Sequence, residues 1–202
     1  MEKYKFIIST DSGCDLSKEL CEQYGIIPIM MNYLDEDIIY KDTMEKSDII
    51  AFYKQMEEGK VFKTSAININ EAYEFLKELI KYNKPIIHIS LGSGISGTYN
   101  NFLNAKEMIK EKYPESVIEI IDSTSASLGY GIMCIEAAKL RDEGKTYEEI
   151  VRYVENIKRG VNPYFETSTL TWSMSPSCKT SHIASNDNFE FSVTLYVFSV
   201  MI

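Results

Sequence analysis

Histidine is nearly absent from this chain: there are two in 202 residues, His88 and His182. Cysteine is scarce too, and Cys14, Cys21, Cys134 and Cys178 form no CxxC pair. A zinc centre needs about four closely spaced nitrogen or sulfur ligands, so none is expected, and the cysteines read as buried free thiols. Basic charge is in deficit, with 21 Lys and Arg against 30 Asp and Glu, a formal net charge of −9. No basic cluster interrupts that balance, which excludes a nucleic-acid backbone as the main partner. No apolar run reaches the roughly 20 residues that a bilayer span requires. The opening MEKYKFIIST is too short in its apolar part for a signal peptide, so a cytoplasmic location is expected. The length suits one domain, or one domain with an appendage.

What is present is an alternation of apolar runs and helical patterns. The segment Pro85–Asn101 (PIIHISLGSGISGTYNN) organises the rest. Ile86–Leu91 predicts a strand buried on both faces, which need not alternate polar with apolar. The glycine–hydroxyl stretch Gly92–Thr98 follows, and then a helix over about Tyr99–Lys112, with Ser96 or Thr98 as its N-cap. Unpaired first amides and the helix dipole make such a junction a ready anion pocket.

Lys5–Thr10 predicts the first strand, ending in the TDSGCD turn at a carboxyl strand edge, where open α/β sheets place ligands. That turn is equally readable as a plain capping loop, with Asp15 or Ser17 capping Lys18–Tyr24 and Gly25 ending it. Ile26–Leu34 reads as one strand, and Asp35-Glu36-Asp37 turns it into Ile38–Lys41 as a hairpin. Ser47 is expected to cap a helix over Asp48–Glu58 with Ile49, Ile50, Phe52, Tyr53 and Met56 as core. Lys63–Asn68 is read as a polar loop, and Asn70 as the cap of Glu71–Tyr82. Val117–Ile121 is a strand, Ser127–Arg141 a helix, and Thr146 with Glu149 forms a capping box for a helix to about Lys158. Val161–Glu166 is a further expected strand. The fold class expected is α/β, a largely parallel sheet flanked by helices. After Trp172 the texture changes: Ser173–Asp187 is polar and aperiodic, and Phe189–Ile202 is apolar and β-prone.

Three chemistries compete at the Gly92 loop. GSGISG fits GxGxxG between a strand and a helix, with Glu119 and Asp122 downstream, as a dinucleotide site requires. Ser96 in a GxSG-like setting suggests a hydrolase nucleophile, but its base would have to be His88 inside a strand or His182 in the tail, and no convincing triad forms. Hydroxyls and amides can also hold a carboxylate without catalysis, and the loop at Thr64-Ser65 can share that anion if the strands are neighbours.

TDSGCDL, KTSAIN, HISLGSGISGTYN and IIDSTSASLGYG occur in the order found in the DegV family, which the chain resembles from about Lys5 to Trp172. The resemblance implies a DegV-like α/β domain over residues 1–160 carrying the carboxylate-binding loops. Residues 161–202 would be the start of an incomplete second domain and a divergent tail. It implies a non-enzymatic bacterial protein with no cofactor that binds a long-chain fatty acid. The carboxylate would be held by Thr64 or Ser65 together with Ser96, Gly97 and Thr98. The partner implied is an ATP-dependent fatty-acid kinase that makes acyl phosphate for phospholipid synthesis. The family's later basic and histidine contacts have no counterpart here, and the alternatives are a nucleotide-dependent oxidoreductase using the GSGISG loop, or a truncated or frameshifted form after Trp172 with impaired lipid binding.

Overall fold

The computed structural model describes residues 3–161. The expectations for Val161–Glu166, Cys178, His182, Ser173–Asp187 and Phe189–Ile202 lie outside the described residues in whole or nearly so. Four strands, β1 (Ile7–Asp11), β2 (Ile26–Ile29), β6 (Ile86–Ser90) and β7 (Ile118–Asp122), form a sheet in the order β2-β1-β6-β7. Every pairing in it is parallel. Three short strands, β3 (Asn32–Asp35), β4 (Ile38–Lys41) and β5 (Lys63–Ser65), make a second, antiparallel sheet in the order β4-β3-β5. Six α-helices, α1 (Lys18–Tyr24), α2 (Lys46–Glu57), α3 (Ile69–Ile80), α4 (Thr98–Lys112), α5 (Leu128–Asp142) and α6 (Tyr147–Ile157), and one 3-10 turn at Ser12–Cys14 complete the described residues.

The parallel sheet separates two apolar cores. Ile8, Ile87, Ile89 and Ile121 face one with Tyr130, Met133, Ala137, Ile150 and Val154. Ile7, Ile86, Ile118 and Ile120 face the other with Leu76, Phe102 and Ile109. Successive side chains on a strand point to opposite faces, so a strand between two cores is buried on both, and its polar residues, Ser9, Thr10 and Asp11 of β1 and His88 and Ser90 of β6, are buried with the isoleucines. This is why β1 and β6 are buried at all five positions each. Cys14, Cys21 and Cys134 are buried, free thiols, as expected.

Several local expectations are corrected. Ile26–Leu34 is two strands: β2 ends at Ile29 and β3 begins at Asn32 in the other sheet. The Ser12 hydroxyl accepts the Met31 amide at 3.0 Å, and the Met31 carbonyl accepts the Asp42 amide at 2.9 Å, pinning the change of direction. Lys63–Ser65 is a strand paired with β3. The helix α2 starts at Lys46 with Glu45 at its N-cap rather than Ser47. There the Thr43 hydroxyl takes the Glu45 amide and donates to Asp48. Of the α2 residues read as core only Phe52 is buried, and Ile49 and Ile50 are exposed. Asn68, not Asn70, caps α3 in a box with Glu71. The hairpin at Glu36, the Gly25 terminus of α1 and the Thr146–Glu149 box are found where expected.

Candidate carboxylate-binding loops

Elements β1 and β6 lie side by side, yet the chain leaves them for opposite edges of the sheet, to β2 and to β7. Between their carboxyl ends is the crevice where open α/β sheets bind ligands. Here the protein fills it itself. Asp11 is fully buried, and its carboxylate accepts the Leu91 amide at 2.9 Å and the Tyr130 hydroxyl. Burial pushes the Asp11 carboxyl up, opposed by those hydrogen bonds. Asp15 accepts from the Ser127 hydroxyl. With Ser12 holding Met31, the polar groups of the TDSGCD turn are engaged internally. The turn is scaffold.

The Gly92 loop leans on the segment after β7. The Gly92 amide donates to the Ser125 carbonyl at 2.9 Å, and a Cβ at Gly92 would lie 2.8 Å from the Ser125 backbone nitrogen. Only glycine permits that approach. A Cβ on Gly94 or Gly97 would meet nothing within 4 Å, so these two glycines do not serve close packing. Asp122 accepts the Ser93 amide at 3.0 Å, the Ser93 hydroxyl and the Thr124 amide at 2.9 Å. Partial burial pushes its carboxyl up, but these donors and nearby Lys158 outweigh that and leave it lowered. The acid that a dinucleotide site would aim at a ribose is therefore committed to shaping the loop. The GxGxxG pattern lacks its close helix packing, and of its two downstream acids Asp122 is engaged by the loop while Glu119 pairs with Lys106 at 3.7 Å.

The hydrolase reading loses the one of its two candidate bases, His88, that is among the described residues; His182 lies outside them. His88 is fully buried, its ring stacked on Phe102 at a centroid distance of 3.8 Å and its Nδ1 3.1 Å from the Ser9 hydroxyl. Burial lowers its pKa to about 3. It is a core histidine. Among the described residues no group of His, Cys, Asp and Glu could hold a metal ion.

The two hydroxyl loops do meet. The Ile67 amide, two residues past β5, donates to the Thr98 hydroxyl at 3.2 Å. The Asn101 side-chain amide donates to the Ile67 carbonyl at 2.8 Å. Ser96 and Thr98 hydroxyl oxygens are 3.0 Å apart, and the Thr98 amide donates to the Ser96 oxygen at 3.2 Å. The expected N-cap role of Ser96 or Thr98 is corrected: Gly97 is the N-cap of α4 and Thr98 its first residue. Thr98 is buried, Ser96 half-buried and Gly97 exposed. The amides of Tyr99 and Asn100 belong to the first turn, which has no intrahelical acceptors, so the junction remains donor-rich.

Thr64 and Ser65 are adjacent strand residues and stand on opposite faces of the small sheet. Thr64 pairs with Tyr33, which packs on Phe52 of α2, and is exposed. Ser65 pairs with Asn32, whose amide reaches Glu71 of α3 at 2.8 Å, and is half-buried. A ligand on one face meets one hydroxyl of the two. Sequence reasoning missed Asn101, Glu71 and the Ile67 amide. Asn101 follows Thr98 by three positions, the spacing of one helix face, and that signal was available.

A family model described as an uncharacterised protein, DegV family, matches residues 5–172. A DegV domain-containing protein of Clostridium perfringens is 35% identical over 173 residues, covering 82% of this chain and 57% of that protein. The structure of DegV from Bacillus subtilis, described as a fatty acid binding protein, is 28% identical with a TM-score of 0.67, covering 78% of this chain and 55% of that one. A Thermotoga maritima protein whose structure is described as revealing fatty acid binding function is 25% identical with a TM-score of 0.68, covering 77% and 56%. The chain thus spans somewhat more than half the length of these relatives. With the family model matching residues 5–172, a relative 35% identical over 173 residues and a parallel sheet of the same architecture, the chain belongs to the DegV family.

Proposed function

We propose that this chain binds a long-chain fatty acid by its carboxylate. The ligand sits at the junction of the Lys63–Ile67 segment with the Ser96–Thr98 turn, and Ser96 is the principal side-chain donor, joined by Gly97 and a hydroxyl of Thr64 or Ser65, with buried Thr98 completing the turn that holds Ser96. The observation that carries the reading is the Ile67–Thr98 hydrogen bond at 3.2 Å, which joins two hydroxyl-bearing loops from different sheets at one helix start. Amides and hydroxyls with a favourable dipole, and no general base beside them among the described residues, suit holding an anion more than transforming it. The protein therefore acts as a carrier rather than a catalyst. Shielding an acyl chain while offering its carboxylate suits delivery to an ATP-dependent fatty-acid kinase, since each exposed methylene costs about 0.8 kcal/mol in water. Descriptions of the Bacillus subtilis and Thermotoga maritima relatives as fatty acid binding support this reading.

The test is native mass spectrometry of the purified protein, with a denatured control to identify what is released. An adduct of long-chain fatty-acid mass is expected, and Ser96→Ala should lower acyl affinity at least about tenfold with the fold intact, the scale of one hydrogen bond to a charged group. An empty protein that also refuses added acid would remove the reading. Unchanged affinity in the Ser96 variant would remove that residue from the site. Formation of acyl phosphate from the loaded protein, a fatty-acid kinase and ATP tests the partner.

A further inference from the structure

The Thr98 hydroxyl has one proton, and the contacts around it decide where that proton goes. Its oxygen already accepts the Ile67 amide at 3.2 Å. Its only other polar neighbour among the described residues is the Ser96 oxygen at 3.0 Å. If Ser96 donated to Thr98, the proton of a fully buried Thr98 hydroxyl would have no acceptor. The satisfied arrangement runs the other way: Ile67 donates to Thr98, Thr98 donates to Ser96, and Ser96 also accepts the Thr98 amide at 3.2 Å. Both lone-pair directions of Ser96 are then occupied by donors, and its own proton is the part left to offer.

Resting on the fatty-acid reading above, we infer that Thr98 is a positioning residue. It polarises Ser96 into an obligate hydrogen-bond donor, while Asn101 clamps the relay by holding the Ile67 carbonyl. A hydroxyl locked as a donor complements an ionised carboxylate, which only accepts. It discriminates less in favour of a neutral head group that also carries a proton to donate. The relay therefore selects the ionised acid over the alcohol of equal chain length. The clamp reaches from the fourth residue of α4 to the loop before α3, so it also fixes the distance between the two loops.

The experiment compares palmitate with hexadecanol, at pH 8 and below the critical micelle concentration, by displacement of a fluorescent fatty-acid probe. Four proteins are used: the full chain, Thr98→Val, Thr98→Ser and Asn101→Ala. Thr98→Val keeps the shape and removes the hydroxyl, and Thr98→Ser restores it. The relay predicts that Thr98→Val loses at least about tenfold in palmitate affinity but less than about threefold for hexadecanol, so that the acid–alcohol preference collapses. Thr98→Ser should recover the preference, which a residue serving packing alone would not do. Asn101→Ala should weaken palmitate binding in the same direction, and it keeps the inference testable if the valine variant does not fold. A valine variant that keeps the wild-type acid–alcohol preference would overturn the relay while leaving the fatty-acid reading standing. So would a serine variant as impaired as valine, or an alanine at 101 without effect. A wild-type chain that binds neither ligand would overturn the fatty-acid reading, and the relay with it.

Discussion

His88 shows how a single side chain can be fitted and still carry a pH liability. Its ring is packed on Phe102 and edge-on to Phe75, and its Nδ1 meets Ser9 across the β1–β6 pair. Its Nε2 has no hydrogen-bond partner among the described residues. Desolvation is the cause of a pKa lowered from 6.5 to about 3. Between those two values the unfolded chain binds a proton that the folded one refuses, so stability is full above pH 6.5 and falls as the pH drops toward 3. The slope from this one group approaches about 1.4 kcal/mol per pH unit. In His88→Leu, the Ser9 hydroxyl loses its partner, so stability at pH 7 should fall by about 1–3 kcal/mol. The gap between variant and wild type should then narrow as the pH is lowered, because leucine cannot be protonated. Urea midpoints at pH 7, 5.5 and 4.5 measure this, and parallel curves for the two proteins would refute it.

At the scale of elements, α3 separates two neighbouring asparagines. Asn68 accepts the Glu71 amide at 3.0 Å, and Glu71 returns bonds to the Asn68 amide at 3.0 Å and side chain at 2.8 Å while its other oxygen takes Asn32 of β3. Asn68→Ala should therefore cost about 0.5–2 kcal/mol, whereas Asn70→Ala, an exposed residue inside the first turn, should stay within about 0.5 kcal/mol. Equal losses in denaturant titrations would mean that the cap is misplaced. The same residues explain what was legible in the sequence. Thr146 and Glu149 stand three apart before a periodic run, and local chemistry alone decides their box. Asn68 and Glu71 have that spacing too, but Asn70 next to Glu71 competes for the role, and position relative to the Ile67 loop settles it. Lys63–Ser65 has no apolar alternation and becomes a strand only through β3, about 30 residues earlier in the chain. Likewise the hydroxyls of Ser96 and Thr98 were visible in the sequence. Their link to Ile67 was not, because it depends on α3 packing against α4. The buried parallel strands β1 and β6 were legible because each opens on a pair of isoleucines set between the two cores.

For the whole molecule, the competing functions differ in what would stabilise it. Asp11 fills the crevice between β1 and β6, and Asp122 is bound to Ser93 and Thr124, so a pyrophosphate finds one position taken by a carboxylate and its ribose acceptor engaged. The proposed fatty-acid site instead offers a carboxylate the donors at the junction between the small sheet and the loop after β6. A ligand that binds only the folded state adds about 2.7 kcal/mol at a free concentration 100 times its dissociation constant. For a chain of this size that raises the unfolding midpoint by roughly 5–10 °C, at about 2–4 °C per kcal/mol. Palmitate should produce this shift in the native chain and about half of it or less in Ser96→Ala at the same concentration, since a tenfold weaker site gains only about 1.4 kcal/mol, while NAD should produce none. Stabilisation by NAD would restore the dinucleotide reading. A palmitate shift that survives Ser96→Ala at full size would place the acid elsewhere on the molecule, because apolar contact alone does not distinguish the Ser96 hydroxyl from a hydrogen.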